Sequence, residues 1–309
     1  MDTDGRAVAE FDVLVVGDAN PDLLLRGDVR PRFGQVEQLL TGADLVLGGS
    51  ATITAAGCAR LGLRTAVLAA VGDDVFGTVV RDALAARGVE LLAVRADGVP
   101  TGLSVILSPP GEDRAILTLP GTIPALRPAD VTDELLGRAR HVHVSSLYLQ
   151  PGLAAGLAGV FARARSLGLT TSLDTNWDPA GEWSSLGGIL ASTDVFLPNA
   201  AELLAITGAS SPADGAAQLV AAGTTVVMKD GARGARAWWG GGECAAPGRV
   251  VEVVDTIGAG DSFNAGFLAA RLAGRSLEEA VRWAAVAGSL STRAAGGTAA
   301  QATTADLAS

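Results

Sequence analysis

The chain has 309 residues, 49% of them hydrophobic but only 4% aromatic, and a formal net charge of −10. That supplies one large core, or a core plus a small appendage, built from Ala, Leu and Val rather than from rings. The acidic balance and the lack of a Lys/Arg run exclude a nucleic-acid binder, and no stretch approaches the apolar length of a membrane span. Cys58 and Cys244 lie far apart with no C-x-x-C spacing, so they read as ordinary thiols of a reducing compartment. The N-terminus has no apolar leader segment, and a cytoplasmic protein is expected.

Residues 1–10 are small and polar and predict a flexible tail ahead of one domain over 11–309. Phe11 to Asp18 is an apolar run closing in Gly17-Asp18, a buried first strand, with Ala19-Asn20-Pro21-Asp22 at its C-terminal end. Open α/β sheets bind ligands at that edge. Asn-Pro-Asp alone also reads as a turn. Loose alternation with charge from Leu23 to Leu47 predicts short exposed strands. Gly48-Gly49 then precede an Ala-rich helix ending near Arg60, with Gly62 as its C-cap. Thr65 to Val71 predicts a strand. Gly72-Asp73-Asp74 open a helix to about Arg87, with acids where the dipole favours them. Residues 100–107 and 114–119 predict a hairpin turned at 109–113.

His141 and His143 fall on one face of a strand. No Cys, Asp or Glu stands beside them, so packing outweighs metal binding. A helix over Leu153–Leu167 and a strand over 169–174 follow, the strand closing in Asp174-Thr175-Asn176, residues that favour a turn. After the Pro198 break, Asn199 suits an N-cap and Glu202 the N3 position of a capping box. Thr224 to Lys229 is a buried strand, Asp230 to Gly234 a tight turn, and Arg236-Ala237-Trp238-Trp239 a returning arm whose tryptophans read as packing. Strands and helices alternate throughout, which predicts an α/β doubly wound sheet. No solenoid period is visible. There is no Gly-x-x-x-x-Gly-Lys-Ser/Thr and no Gly-x-Gly-x-x-Gly after the first strand, which removes a dinucleotide-binding dehydrogenase.

The most informative stretch is Asp255-Thr256-Ile257-Gly258-Ala259-Gly260-Asp261-Ser262-Phe263. A β-branched, strand-like run over 249–254 precedes it. Phe263, Phe267, Leu268 and Leu272 recur after it at helical spacing. The glycines let backbone approach a ligand closely, and the first N–H groups of the helix face an anion. Asp261 reads either as an ordinary first-turn residue or as a general base. In the second role it takes a proton from a hydroxyl held in line with a phosphoryl group.

This string closely resembles the C-terminal signature of the ribokinase-like sugar kinases, the PfkB carbohydrate kinase family. The resemblance covers roughly residues 11–300. It implies a ribokinase-like doubly wound sheet flanked by helices, with a small β-sheet lid formed by segments near 20–47 and 98–122. It implies Asp261 as catalytic base and Gly258, Ala259 and Gly260 as the anion hole. Asp22, Asn20 and the Gly48-Gly49 backbone would meet the sugar. Asn199 and Glu202 would organise Mg2+, largely through water, and Asp174 and Asn176 would help order phosphates. Lys229, Gly231, Gly234 and Asn199 would lie beside ATP. Asp255 and Thr256 would hold a monovalent cation, potassium. One position departs from the family pattern. Its substrate-contacting Asn, four residues after the second glycine, is Ile53 here, so that contact is missing or supplied by Thr52 or Thr54. The expected reaction is ATP-dependent phosphorylation of a hydroxymethyl group on a small sugar such as ribose, fructose or 2-keto-3-deoxygluconate. The alternatives are a nucleoside kinase of the same superfamily and a non-catalytic sugar- or nucleotide-sensing protein on this fold. The resemblance leaves open a homodimer through the lid.

Overall fold

The computed structural model describes residues 9–109, 113–183 and 186–308. The expected tail at 1–10 and the centre of the 109–113 turn lie mostly outside these residues. The described strands are β1 Phe11–Val16, β2 Asn20–Gly27, β3 Leu40–Gly48, β4 Thr65–Ala70, β5 Glu90–Val94, β6 Leu103–Ser108 and β7 Ala115–Leu119. They continue with β8 Ala139–Ser145, β9 Thr170–Asp174, β10 Val195–Phe196, β11 Thr225–Lys229, β12 Ala235–Trp239 and β13 Gly242–Ala246.

Nine strands form one sheet in the order β13-β12-β11-β10-β9-β8-β1-β4-β5. From β11 to β5 every pairing is parallel, and β12 and β13 run antiparallel. The chain starts in the middle, at β1, and winds out to both sides, so the strand order reverses there. Parallel strands need both faces covered. The pleat of β1 shows how: Val13 and Val15 enter a core with Phe263, Phe267 and Trp283, while Leu14 and Val16 enter another with Leu157, Phe161 and Phe196. The Ser50–Arg60, Ala259–Leu272 and Leu277–Ser291 helices serve the first core, and the Leu157–Ser166 helix the second.

The lid is a separate sheet in the order β3-β2-β6-β7. β2 runs antiparallel to β3 and parallel to β6, and β7 closes the edge antiparallel to β6. β2 starts four residues after β1 ends, so the lid rises straight from the C-terminal edge of the large sheet. Among the described residues no helix is long and apolar enough to cross a membrane.

Three sequence expectations differ from the structure. Asn20-Pro21-Asp22 is not a turn but the start of β2, because Asn20 pairs with Gly48 and Asp22 with Val46. Residues 249–254 form no strand: the Val254 N–H donates to the Thr292 carbonyl instead of to a strand, and Val250, Val253 and Val254 stay exposed. The helix expected over Leu153–Leu167 breaks into Pro151–Ala154 and Leu157–Ser166, where the ring of Pro128 packs closely on Gly156. The histidines sit as expected. His141 lies 2.7 Å from both Thr170 Oγ1 and Ser172 Oγ, and His143 lies 2.7 Å from Ser172 Oγ. Burial pushes both imidazoles down to about 3, so they stay neutral.

Candidate active site

The site is assembled along the C-terminal ends of the parallel strands, beginning where β1 stops. The Asp18 carboxylate accepts the backbone N–H groups of Ser50 at 3.0 Å and Ala51 at 2.9 Å. It thereby satisfies the first orphan donors of the Ser50–Arg60 helix. Gly48 lets that helix start come directly under β2, since the Asp22 carboxylate occupies the space a Cβ at position 48 would need. Asn20 Nδ2 donates to Asp22 Oδ1 at 3.1 Å and to Ser104 Oγ at 3.3 Å, which fixes the aspartate's orientation. Burial pushes the Asp22 carboxyl up to about 7, and the charge of Asp18 adds to the rise.

The second helix start faces the first. Gly258 has φ 69°, a left-handed turn that suits glycine, and a Cβ there would lie 2.6 Å from Gly297 Cα. The Ala259–Leu272 helix follows, with Asp261 buried in its first turn. The Ser50 hydroxyl hydrogen-bonds to Asp261 Oδ1 and also lies 3.2 Å from Asn176 Oδ1. One serine thus ties the candidate base to the sugar-side helix and to the end of β9. Burial raises the Asp261 carboxyl to about 8. Ser50 opposes that rise and the charge of Asp174 reinforces it.

Beyond Asp261 the network continues towards the end of β11. Asp174 Oδ2 forms an ion pair with Lys229 Nζ and accepts Asn264 Nδ2 at 2.6 Å. The Lys229 stem lies 3.6 Å from where a Cβ on Gly260 would stand. Asn199 and Glu202 make the expected capping box: Asn199 Oδ1 accepts Glu202 N–H at 2.9 Å and Glu202 Oε2 accepts Asn199 N–H at 2.8 Å. Burial, then the charge of Asp174, pushes Glu202 up to about 7. Asp18, Asp22, Asp174, Glu202 and Asp261 are all buried, with Lys229 the cation paired among them. Such an excess of buried carboxylate suits a bound cation. Among the described residues no three His, Cys, Asp or Glu stand close enough to clasp a metal directly.

The remaining candidates divide. Gly231 has φ 55° with open space where a Cβ would point. At Gly234, φ 95°, a Cβ would strike the Ala246 carbonyl, so the hairpin explains that glycine. Asp255 is occupied by backbone donors, with Oδ1 accepting Ile257 N–H at 3.0 Å and Oδ2 accepting Gly296 N–H at 2.9 Å. The Thr256 hydroxyl accepts an N–H from Arg114. Ile53 is buried against Gly258 and Gly297. Neither threonine replaces the missing amide: Thr52 Oγ1 is turned to the Gly48 and Gly49 carbonyls, and Thr54 Oγ1 lies 3.4 Å from the Asp261 carbonyl.

Sequence reasoning missed Asp18, Ser50 and Asn264 as parts of this network. Each had a signal. Asp18 directly follows the glycine that ends the first strand, Ser50 directly follows the glycine pair, and Asn264 lies three residues after Asp261 on the same helix face. A separate cleft of about 520 Å3 lies between the end of β13 and the Leu277–Ser291 helix. Arg249, Glu278, Glu279 and Arg282 are among its lining residues, and Asp261 is not.

Comparison with known proteins places the family. The pfkB family carbohydrate kinase profile matches residues 11–304. An ATP-dependent ribose-1-phosphate kinase of Halopiger xanaduensis is 32% identical over 284 residues, 90% of each chain. A 2-dehydro-3-deoxygluconokinase of Bacillus subtilis is 31% identical, over 81% of this chain and 82% of the relative. Arabidopsis thaliana ribokinase, solved with ribose and ATP, superposes with a TM-score of 0.83 at 25% identity, over 96% of this chain and 97% of that one. An E. coli protein solved with ATP and Mg2+ shares the fold, with a TM-score of 0.85 at 21% identity over the same shares. The chain therefore belongs to the pfkB family of carbohydrate kinases, and its activity is that of an ATP-dependent sugar kinase.

Proposed function

We propose that the protein transfers the γ-phosphoryl group of ATP to a hydroxymethyl group of a small sugar, with Asp261 as general base. The observation that carries this reading is the placement of Asp261. It is buried in the first turn of one helix and joined through Ser50 to the start of the helix beneath Asp22. Asp22, oriented by Asn20, accepts sugar hydroxyls over the Gly48-Gly49 backbone. The hydroxyl oxygen attacks the γ-phosphorus, its proton passes to the Asp261 carboxylate, and the bond to the bridging oxygen breaks to release ADP. The backbone N–H groups of Gly258, Ala259 and Gly260 carry the charge of the transferring group.

Lys229, Gly231 and Asn199 lie on the nucleotide side, where Gly234 shapes the turn. Glu202 and Asn199 would hold magnesium through water, and the bound ion would neutralise charge on the phosphates. A monovalent cation at Asp255 and Thr256 suits the side chains less well. The carboxylate is occupied by N–H groups and the hydroxyl faces a guanidinium. The potassium dependence of ADP release tests whether a cation is held there.

The test is ADP release by purified protein with MgATP across ribose, fructose, their phosphates, 2-keto-3-deoxygluconate, tagatose, adenosine and pseudouridine. Turnover of a nucleoside without turnover of any sugar would favour the nucleoside-kinase alternative, which the apolar Ile53 keeps in play. Absence of ADP release across the panel, with ATP still bound, would favour the sensing alternative. Asp261→Asn is expected to keep the fold and sugar binding while lowering kcat by about 10²–10⁴-fold. Full turnover by that variant would remove Asp261 as the base.

A further inference from the structure

A cleft of about 500 Å3 runs between the lid and the loop that leads into the Ala259–Leu272 helix. Leu24, Arg26, Ser108, Arg114, Asp255 and Thr256 are among its lining residues. Strand register explains why two arginines meet there. Arg26 on β2 pairs with Ser108 on β6, and Leu107 on β6 pairs with Ala115 on β7. Arg114, just ahead of β7, therefore stands across the same end of β6 from Arg26. The pleat also puts Asp22, Leu24 and Arg26 on one face of β2, with Asp22 and Arg26 separated by about 13 Å along the strand. The cleft thus continues the sugar side of the site, and the charge of Arg114 is felt at the Asp22 carboxyl.

Both guanidinium groups keep unused donors. Arg26 Nη2 pairs with Asp44, and Arg114 Nη1 donates to Thr256 Oγ1. Among the described residues, Arg26 Nη1 and Arg114 Nε have no acceptor and are shielded from water. Among the described residues the nearby acids do not supply one. Asp255 is held by the Ile257 and Gly296 amides, and the exposed Asp113 stands 3.9 Å from Arg114 Nη1. A neutral sugar would offer these donors only hydroxyls. A phosphate or carboxylate offers charged oxygens in the planar spacing that a guanidinium matches.

We propose that the sugar substrate carries an anionic group, a phosphate or a carboxylate, remote from the phosphorylated hydroxyl, and that Arg26 and Arg114 receive it. The proposal rests on the kinase reading above and narrows its substrate class. Neither arginine touches the reacting atoms. Both act on specificity, so their loss raises KM for the anionic sugar and leaves kcat nearly as it was.

The experiment pairs sugars that differ only in the charged group: ribose with ribose 1-phosphate, and fructose with fructose 1-phosphate. 2-Keto-3-deoxygluconate forms the carboxylate arm. The expected result is a kcat/KM for an anionic sugar about tenfold or more above that of a neutral one, with phosphate and carboxylate arms distinguished by which sugar is preferred. Arg26→Gln and Arg114→Gln should each raise its KM about tenfold, with melting temperatures near that of the wild type. Equal turnover of neutral sugars, indifferent to both variants, would overturn the proposal while leaving the kinase reading intact. Absence of turnover on every sugar would instead remove the kinase reading, and a binding arm then decides the cleft. Protein saturated with the non-hydrolysable magnesium complex of AMP-PNP is titrated calorimetrically with inorganic phosphate. Binding weakened about tenfold by the double variant supports the anion cleft, and binding equal to wild type or undetectable in both overturns it.

Discussion

Asp261 can accept a proton only when its carboxyl is ionised, and burial holds that carboxyl at about 8. Asp22 and Glu202, at about 7, share the same cause. The consequence reaches beyond catalysis. In the unfolded chain these groups titrate near 4, so between about pH 4 and 8 the ligand-free fold holds protons that the unfolded chain has lost. Stability from these groups is complete below the unfolded values and is lost as pH rises through 7 and 8. His141 and His143 have the opposite sign, since their folded values are depressed to about 3 and they cost stability only below about 6.5. The window from about pH 6.5 to 8 therefore reports chiefly the carboxylates; above it the thiols of Cys58 and Cys244, pushed up by burial, add to the same fall. The ligand-free melting temperature should fall across it, and Asp261→Asn should flatten the fall. A melting temperature that rises with pH in that window would mean that these acids are ionised in the fold. The candidacy of Asp261 was legible because it sits inside a contiguous motif. That of Ser50 was not, because its partner lies 211 residues away and only the fold joins them.

At the scale of elements, the turn between β11 and β12 separates two glycines that look alike in the sequence. Gly231 and Gly234 both have positive φ, but only at Gly234 would a side chain collide with backbone, at Ala246 and Gly248. Gly234→Ala should cost about 2–4 kcal/mol, the sum of a strained backbone and a contact that cannot yield. Gly231→Ala should cost about 1 kcal/mol, from the left-handed conformation alone. Denaturant unfolding measures both, and equal costs would mean that the hairpin relaxes around position 234. If Gly231→Ala also weakens ATP binding by more than its stability cost explains, the nucleotide passes close to that backbone. Elements were legible wherever local pattern and tertiary partner agreed. The apolar run of β1 and the Asn199–Glu202 capping box are such places. Pattern failed at 249–254, where a β-branched run stays unpaired, and at 20–22, where turn-forming residues are recruited by pairing with β3. Strand formation depends on a partner, which periodicity does not reveal.

For the whole molecule, the open question is what covers the lid. β7 is its edge strand and is exposed along its length, with Ile116, Leu117 and Leu119 each at least half accessible. The strand Ala-Ile-Leu-Thr-Leu contains no charge and no proline, the usual protections of a free edge. A flat apolar edge of this kind pairs with something. Two copies of β7 run antiparallel across a two-fold axis would cover each other, the closed arrangement that symmetric dimers favour. We therefore predict a homodimer through the lid, visible as a dimer mass by light scattering at micromolar concentration. Leu117→Lys places a charge at the centre of that edge and should shift the population to monomer without unfolding the large sheet, which does not contain β7. A wild-type protein that stays monomeric at every concentration, or a variant that stays dimeric, would refute the pairing. The assembly also bears on the site, because β7 pairs with β6, β6 pairs with β2, and β2 carries Asp22. Ordering the edge should order the sugar side more than the nucleotide side, so the monomeric variant should raise KM for the sugar more than KM for ATP.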